Sequence, residues 1–125
     1  MVIKLIGKTM KKILVFGSNG LVGKSIQRKF KDIYSPDEIF FSTRKDTDLF
    51  SFSETKKTIT DYKPDVIVNA AAKVGGINAN NTYRTEFIIE NLKINMNILE
   101  SSINNPKISI INLGSSCIYP LGSPN

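Results

Sequence analysis

The stretch FGSNGLVGKS, residues 16–25, decides the fold of this 125-residue chain. It overlaps the end of KKILVF (residues 11–16), an apolar, branched run that is typical of a buried strand. Apolar residues then recur with helical spacing over residues 21–30. The pattern therefore predicts a strand, a glycine turn and a helix, which together open a β-α-β unit.

Two phosphate-binding frames compete for this stretch, beside a plain strand-to-helix turn. A P-loop needs four residues between its first glycine and the Gly-Lys pair, but five separate Gly17 from Gly23, and Ser18 stands where that glycine is required. The dinucleotide frame fits in place, because Gly17 permits the tight turn, Gly20 admits a pyrophosphate and Gly23 lets the helix pack closely. The free N–H groups at the helix N-terminus also favour phosphate. A dinucleotide site is therefore the favoured interpretation.

Composition and charge exclude several classes of function. Hydrophobic content is 41% and charged content 22%, which are globular values. No apolar run approaches the ~18 residues that span a bilayer, so we expect a soluble, cytoplasmic protein without a membrane partner. The chain has no histidine and one cysteine, Cys117, which excludes His-based catalysis, a zinc site and an internal disulfide. The net charge of +6 comes from scattered lysines, so we expect no nucleic-acid partner.

Strands and helices alternate through the rest of the chain. Further strands are predicted at residues 38–42, 65–72 and 108–113, with at most a short one at residues 48–50. A helix is predicted over residues 52–62, behind a capping box. The alternation predicts an α/β fold: a Rossmann-type, doubly wound parallel sheet. The expected strand order is third, second, first, fourth, fifth.

A long helix is predicted to begin near Thr82 or Thr85, after a loop over residues 73–81. Its apolar residues step by four, four, three and four, which predicts one continuous stripe that packs in part on the sheet. The stripe consists of Ile88, Leu92, Met96, Leu99 and Ile103.

The exit of the second strand bears on the choice of cofactor. An NAD site usually has an acid there to bind the ribose 2′-hydroxyl. Here the strand runs into Ser42, Thr43, Arg44 and Lys45. Two cations suit a 2′-phosphate, so NADP(H) is the expected cofactor, although Arg44 and Lys45 also fit ordinary surface charges.

Two later segments carry a more specific signal. NAAAKVGGINANNTY (residues 69–83) and LGSSCIYP (residues 113–120) resemble the GDP-L-fucose synthases of the extended short-chain dehydrogenase/reductase family. GSNGLVG and TRKDTDL precede them in the expected order. The resemblance implies an NADPH-dependent epimerase/reductase that converts GDP-4-keto-6-deoxy-mannose to GDP-L-fucose, as a homodimer in the full-length protein.

The resemblance also implies the site residues. Ser115 would hydrogen-bond the 4-keto oxygen, where charge develops on hydride addition. Cys117 would be the base that abstracts protons beside the ketone. No metal is implied. Cofactor binding is implied for Gly17, Ser18, Asn19, Gly20, Leu21, Val22, Gly23, Arg44, Lys45, Asp46, Thr47, Asp48, Leu49, Ala71, Ala72, Leu113, Gly114, Ser115 and Ser116.

One departure from the family pattern affects activity. The family's Tyr-x-x-x-Lys pair does not occur in these 125 residues. MKKILVFGSNG, from Met10, is a natural start for such a domain, so we expect an N-terminal extension over residues 1–9. Residues 10–125 are expected to form an incomplete NADP-binding domain. That domain is expected to be truncated after the fifth strand, to lack the substrate domain and to be inactive alone. A non-catalytic dinucleotide-binding module, or another NAD(P)-dependent sugar-nucleotide epimerase/dehydratase, is the alternative.

Overall fold

The computed structural model describes residues 12–115, so the predictions made for residues 1–9, Ser116 and Cys117 lie outside it. Within this range, no helix combines the length and the hydrophobicity that crossing a bilayer requires. The elements in chain order are β1 (Ile13–Phe16), α1 (Leu21–Phe30), β2 (Ile39–Ser42), α2 (Phe52–Tyr62), β3 (Val66–Asn69), α3 (Ile77–Thr82), α4 (Arg84–Ser102) and β4 (Ser109–Asn112).

The described strands form one parallel sheet in the order β2-β1-β3-β4. The predicted α/β, Rossmann-type parallel sheet is confirmed. Residues 48–50, where at most a short strand is expected, form none in the described sheet because they turn instead of pairing, so the expected strand order lacks its third strand. The Asp48 side chain accepts from Phe50 N at 3.0 Å, and Asp48 O accepts from Ser51 N at 3.0 Å. This Asx-type turn satisfies the backbone locally and leads directly into α2.

Two apolar layers cover the two faces of the sheet, which makes it doubly wound. On one face, Leu14 and Phe16 of β1 pack with Ile59 of α2 and Ile98 of α4. On the other face, a second buried cluster contacts α1 through Ile26 and Phe30. The strands are therefore apolar on both sides, as the run in β1 predicts.

Helix α2 begins and ends where the sequence predicts. Ser51 Oγ accepts from Glu54 N at 3.3 Å, which is one half of the expected capping box. The Glu54 carboxylate does not complete it, because it accepts from Asp48 N at 3.0 Å. Lys63 adopts a left-handed conformation before Pro64 and ends the helix.

The face of α4 that packs on the sheet differs from the predicted one. Ile94 and Ile98 are buried, whereas the residues of the predicted stripe are 53–74% exposed. The prediction that this stripe packs in part on the sheet is therefore wrong. The predicted loop over residues 73–81 also contains the short helix α3, so the chain before α4 is more helical than expected.

Strand β4 is less covered than its sequence suggests. Ile111 pairs in register with Val68, which is buried in the α1-side cluster. Ile111 itself is 48% exposed. The cluster that α1 contacts includes residues of β1, β2 and β3 but none of β4, so Ile111 lies beyond that cover.

Candidate functional site

The turn between β1 and α1 is built around glycines, two of which leave no room for a side chain. Gly17 has a φ of +76°, which favours glycine. A Cβ there would lie 2.5 Å from Ala71 N, and a Cβ at Gly23 would lie 2.3 Å from Gly17 O. Gly20 is less confined, with 3.3 Å to Gly17 O. The turn is therefore pressed against the exit of β3, which the spacing of the glycines alone does not reveal.

A cavity of about 450 Å³ opens at the carboxyl edge of the sheet, where the chain leaves β1, β2 and β3. Parallel α/β sheets bind ligands at this edge, beside the point where the chain direction reverses across the sheet. The lining residues are Phe16, Gly17, Gly20, Ser42, Thr43, Arg44, Thr47, Asp48, Leu49, Phe50, Ala70, Ala71, Ala72, Lys73, Glu90 and Ile94.

The β2 side of the cavity is a tight turn that presents Arg44. Asp46 Oδ2 accepts from Thr43 N at 2.7 Å and from Thr43 Oγ1 at 2.6 Å. The Thr43 hydroxyl, followed by its backbone N–H, holds the pKa of the Asp46 carboxyl below its usual value. Arg44 stacks over Phe50 at 5.4 Å from the ring centroid. The acid of this turn is thus engaged with the turn itself, while the arginine faces the cavity.

Buried polar bonds hold the wall behind that turn. Ser42 Oγ donates to Thr47 Oγ1 at 3.0 Å, and Thr47 Oγ1 lies 2.8 Å from Thr58 Oγ1 on α2. Asn97 of α4 donates from Nδ2 to Leu49 O at 2.7 Å. Because α2 and α4 both form hydrogen bonds to the loop that follows β2, this wall is held in place without any β-strand pairing.

The β3 side carries small residues followed by an ion pair. Asn69 Oδ1 accepts from Ala71 N at 3.1 Å as the chain leaves β3. Lys73 Nζ then pairs with Glu90 Oε1 of α4 at 2.5 Å. The cavity therefore has small side chains along its floor and charged groups at both sides.

The structure brings about half of the described sequence-predicted cofactor residues to the cavity. Those that line it are Gly17, Gly20, Arg44, Thr47, Asp48, Leu49, Ala71 and Ala72. Those described but not lining it are Ser18, Asn19, Leu21, Val22, Gly23, Lys45, Asp46, Leu113, Gly114 and Ser115. Among these, Ser18 is fully buried in the turn, and its hydroxyl has no hydrogen-bond partner in the described part of the chain. Ser115 follows β4 and is exposed.

Several lining residues are absent from the set that was predicted to bind the cofactor. They are Phe16, Ser42, Thr43, Phe50, Ala70, Lys73, Glu90 and Ile94. Glu90, Ile94 and Ile98 share one face of α4 by their four-residue spacing. That spacing could have identified the face of α4 that meets the sheet and the cavity. The longer apolar stripe on another face of the helix was taken as the packing face instead. Within residues 12–115, no group of three or more potential metal ligands is assembled.

Comparisons with known proteins place these features in context. Residues 13–125 match the family described as "NAD dependent epimerase/dehydratase family". The chain is 42% identical over 113 residues to a "Putative GDP-L-fucose synthase 2" of Arabidopsis thaliana, covering 90% of this chain and 34% of that protein. It is 37% identical over 111 residues to a "GDP-L-colitose synthase" of Yersinia pseudotuberculosis, covering 87% and 35%.

A solved structure shares the fold. The GDP-L-fucose synthetase of Naegleria fowleri, bound to NADP, superposes with a TM-score of 0.77 at 28% identity, over 96% of this chain and 39% of that one. The chain thus spans about a third of the length of the curated relatives it matches.

Proposed function

The chain belongs to the NAD dependent epimerase/dehydratase family, and we propose that it is the NADP(H)-binding part of an epimerase/reductase that acts on a GDP-linked 4-keto sugar. The observation that carries this proposal is the cavity at the carboxyl edge of the sheet. Its wall joins a glycine turn, in which Gly17 has no room for a Cβ, to a cation at the exit of β2. Such a wall suits a pyrophosphate next to a phosphorylated ribose.

The residues present fit a dinucleotide. Gly20 lines the cavity with no side chain, and residues 70–72 add only methyl groups, so backbone approaches the ligand closely. Gly17 and Gly20 would hold the pyrophosphate, Arg44 the 2′-phosphate, and Asp48 and Leu49 the adenine. When bound, NADPH supplies the hydride for reduction of a ketone.

The proposal extends to the rest of the reaction by family resemblance. GDP-4-keto-6-deoxy-mannose is the proposed substrate, with Ser115 as hydrogen-bond donor to its 4-keto oxygen and Cys117 as the base of the epimerisation. The cytoplasm is the proposed location. A related candidate, a reductase of a different GDP-4-keto sugar, is favoured by the comparable identity to the colitose synthase. Turnover of both sugar nucleotides by the whole protein would separate the two.

The choice of NADPH over NADH is tested at Arg44. We expect Arg44→Ala to weaken NADPH binding by the roughly 1.5–3 kcal/mol of a charge-assisted hydrogen bond, and to leave NADH binding nearly unchanged. Calorimetric titration of the folded chain measures both affinities. Lys56→Ala is a matched control, because Lys56 also stacks on a ring, that of Phe52, but lies away from the cavity. Equal affinities of the unaltered chain for the two cofactors would refute the assignment.

We also propose that the full-length protein is a homodimer and that the exposed face of α4 contributes to its interface. This face, with Leu92 53% and Met96 60% exposed, continues along the helix through Ile88, Leu99 and Ile103. Contiguous apolar surface of this kind marks interaction sites. The exposed β4 side chain Ile111 adds a second apolar surface at the edge of the described sheet.

The polypeptide of these 125 residues is accordingly expected to self-associate at low micromolar concentration in sedimentation velocity. The double variant Leu92→Glu/Met96→Glu should shift the distribution towards monomer, because it places charge within the apolar face. Lys29→Glu on α1 changes the net charge by the same two units and should leave the distribution unaltered. A single monomeric species for the unaltered polypeptide would contradict this expectation.

A further inference from the structure

Helix α4 holds the chain where it leaves β3 through one asparagine. Asn91 Oδ1 accepts from Lys73 N at 2.8 Å, and Asn91 Nδ2 donates to Lys73 O at 3.0 Å. One side chain thus satisfies both backbone polar groups of one residue, as a neighbouring strand would. Asn91 Nδ2 also donates to Phe87 O at 2.8 Å, which fixes the amide on its own helix.

This bond pair is the far anchor of a segment without regular structure. Residues 70–76 form neither helix nor strand, yet residues 70–73 line the cavity. At the near end, Ala70 N donates to Phe16 O at 3.0 Å and Ala71 N donates to the Asn69 side chain. Asn91 supplies the corresponding restraint at Lys73. Without it, the backbone of residues 70–73 would keep only the described hydrogen bonds at the strand exit.

The same turn of α4 also fixes the Lys73 side chain. Its ammonium pairs with Glu90 and lies 5.4 Å from the centroid of the Phe87 ring. Lys73 is therefore held by backbone hydrogen bonds, an ion pair and a contact with an aromatic ring. The strand order places β1 between β2 and β3, so the exit of β3, which leads to Lys73, lies two strand spacings or about 10 Å from the exit of β2, which leads to Arg44. The two cations mark different parts of the cavity.

We propose that Asn91 is a positioning residue for the half of the dinucleotide that lies beyond the glycine turn, away from Arg44. It acts through Lys73, whose backbone it holds so that residues 70–73 present a fixed wall on the β3 side. The inference rests on the proposed function, since it takes the cavity to be the dinucleotide site. It assigns Asn91 no contact with the adenosine half.

Two probes separate this role from general stabilisation. NADPH spans the whole dinucleotide site, whereas adenosine 2′,5′-bisphosphate carries only the adenosine half with its 2′-phosphate. In calorimetric titrations, we expect Asn91→Ala to weaken NADPH binding about tenfold, which corresponds to about 1.4 kcal/mol, and to leave the bisphosphate affinity unchanged. Ser102→Ala is the matched control, because Ser102 Oγ makes a buried bond to Ile98 O on the same helix, away from the cavity. It should change neither affinity.

The outcomes separate a failure of the positioning role of Asn91 from a failure of the proposed function. Equal weakening of both ligands by Asn91→Ala, or no weakening of either, would overturn the positioning role while leaving the proposed function intact. An unaltered chain that binds neither ligand would remove the proposed function and the inference with it. Should Asn91→Ala fail to fold, amide hydrogen exchange in the unaltered chain still decides: Lys73 N–H is expected to be protected relative to Val74, and equal exchange would overturn the proposal.

Discussion

Replacing Gly17 by alanine is expected to lower the free energy of unfolding by about 2–5 kcal/mol and to abolish dinucleotide binding. The left-handed φ of +76° costs a side chain about 1–2 kcal/mol. The new Cβ would also lie 2.5–2.6 Å from backbone atoms of Ala70 and Ala71, and overpacking costs about 1–3 kcal/mol. Because the clash is with backbone, relief requires the β1 turn and the β3 exit to move apart, which opens the cavity floor.

Urea denaturation followed by circular dichroism measures the loss. Gly76→Ala is the matched control, because an added Cβ at Gly76 meets nothing within 4 Å and the residue has an ordinary φ of −73°. Its unfolding midpoint should remain close to that of the unaltered chain. A Gly17→Ala chain with an unchanged midpoint would show that the turn and the β3 exit are not in the contact described.

The polypeptide of these 125 residues is expected to reduce GDP-4-keto-6-deoxy-mannose at no more than ~10⁻²–10⁻⁴ of the rate of a complete relative. General acid–base catalysis contributes about 10²–10⁴-fold, and the 125 residues contain neither a Tyr-x-x-x-Lys pair nor any histidine. NADPH binding should nevertheless persist, since its proposed ligands lie within residues 16–73. The 125-residue polypeptide is thus expected to bind NADPH while reducing the sugar nucleotide at only a small fraction of the normal rate.

Oxidation of NADPH, followed by its absorbance with the sugar nucleotide present, measures this rate. The GDP-L-fucose synthetase of Naegleria fowleri, assayed in parallel, supplies the reference rate. Steady consumption at that relative's rate would contradict the expectation and require a different acid within these residues.

The sequence predicted the elements whose signals are local. The apolar run before Gly17 and the Ser51 cap identified β1 and α2, because strand burial and helix capping depend on neighbouring residues. The same reasoning from neighbouring residues failed at residues 48–50. Their apolar pair resembles a short strand, but the Asp48 side chain satisfies the backbone in a turn instead.

The parts of the site that escaped prediction depend on distant contacts. Glu90 lines the cavity and Asn91 bonds to the Lys73 backbone only because α4 packs against the exit of β3, a contact that their local sequence does not specify. The apolar stripe on α4 was misassigned for a related reason. Hydrophobic periodicity finds an apolar face but does not say whether the sheet or a partner covers it.

The central claim is that the cavity beside the glycine turn binds NADP(H). Nitrogen-15 correlation spectra of the folded chain, recorded during titration with NADPH, test it most directly. We expect saturable shifts at the amides of Gly17, Gly20, Arg44 and Ala71, and no shift at the amide of the exposed α4 residue Leu99. Shifts absent at saturating NADPH, or confined to residues outside the cavity lining, would contradict it.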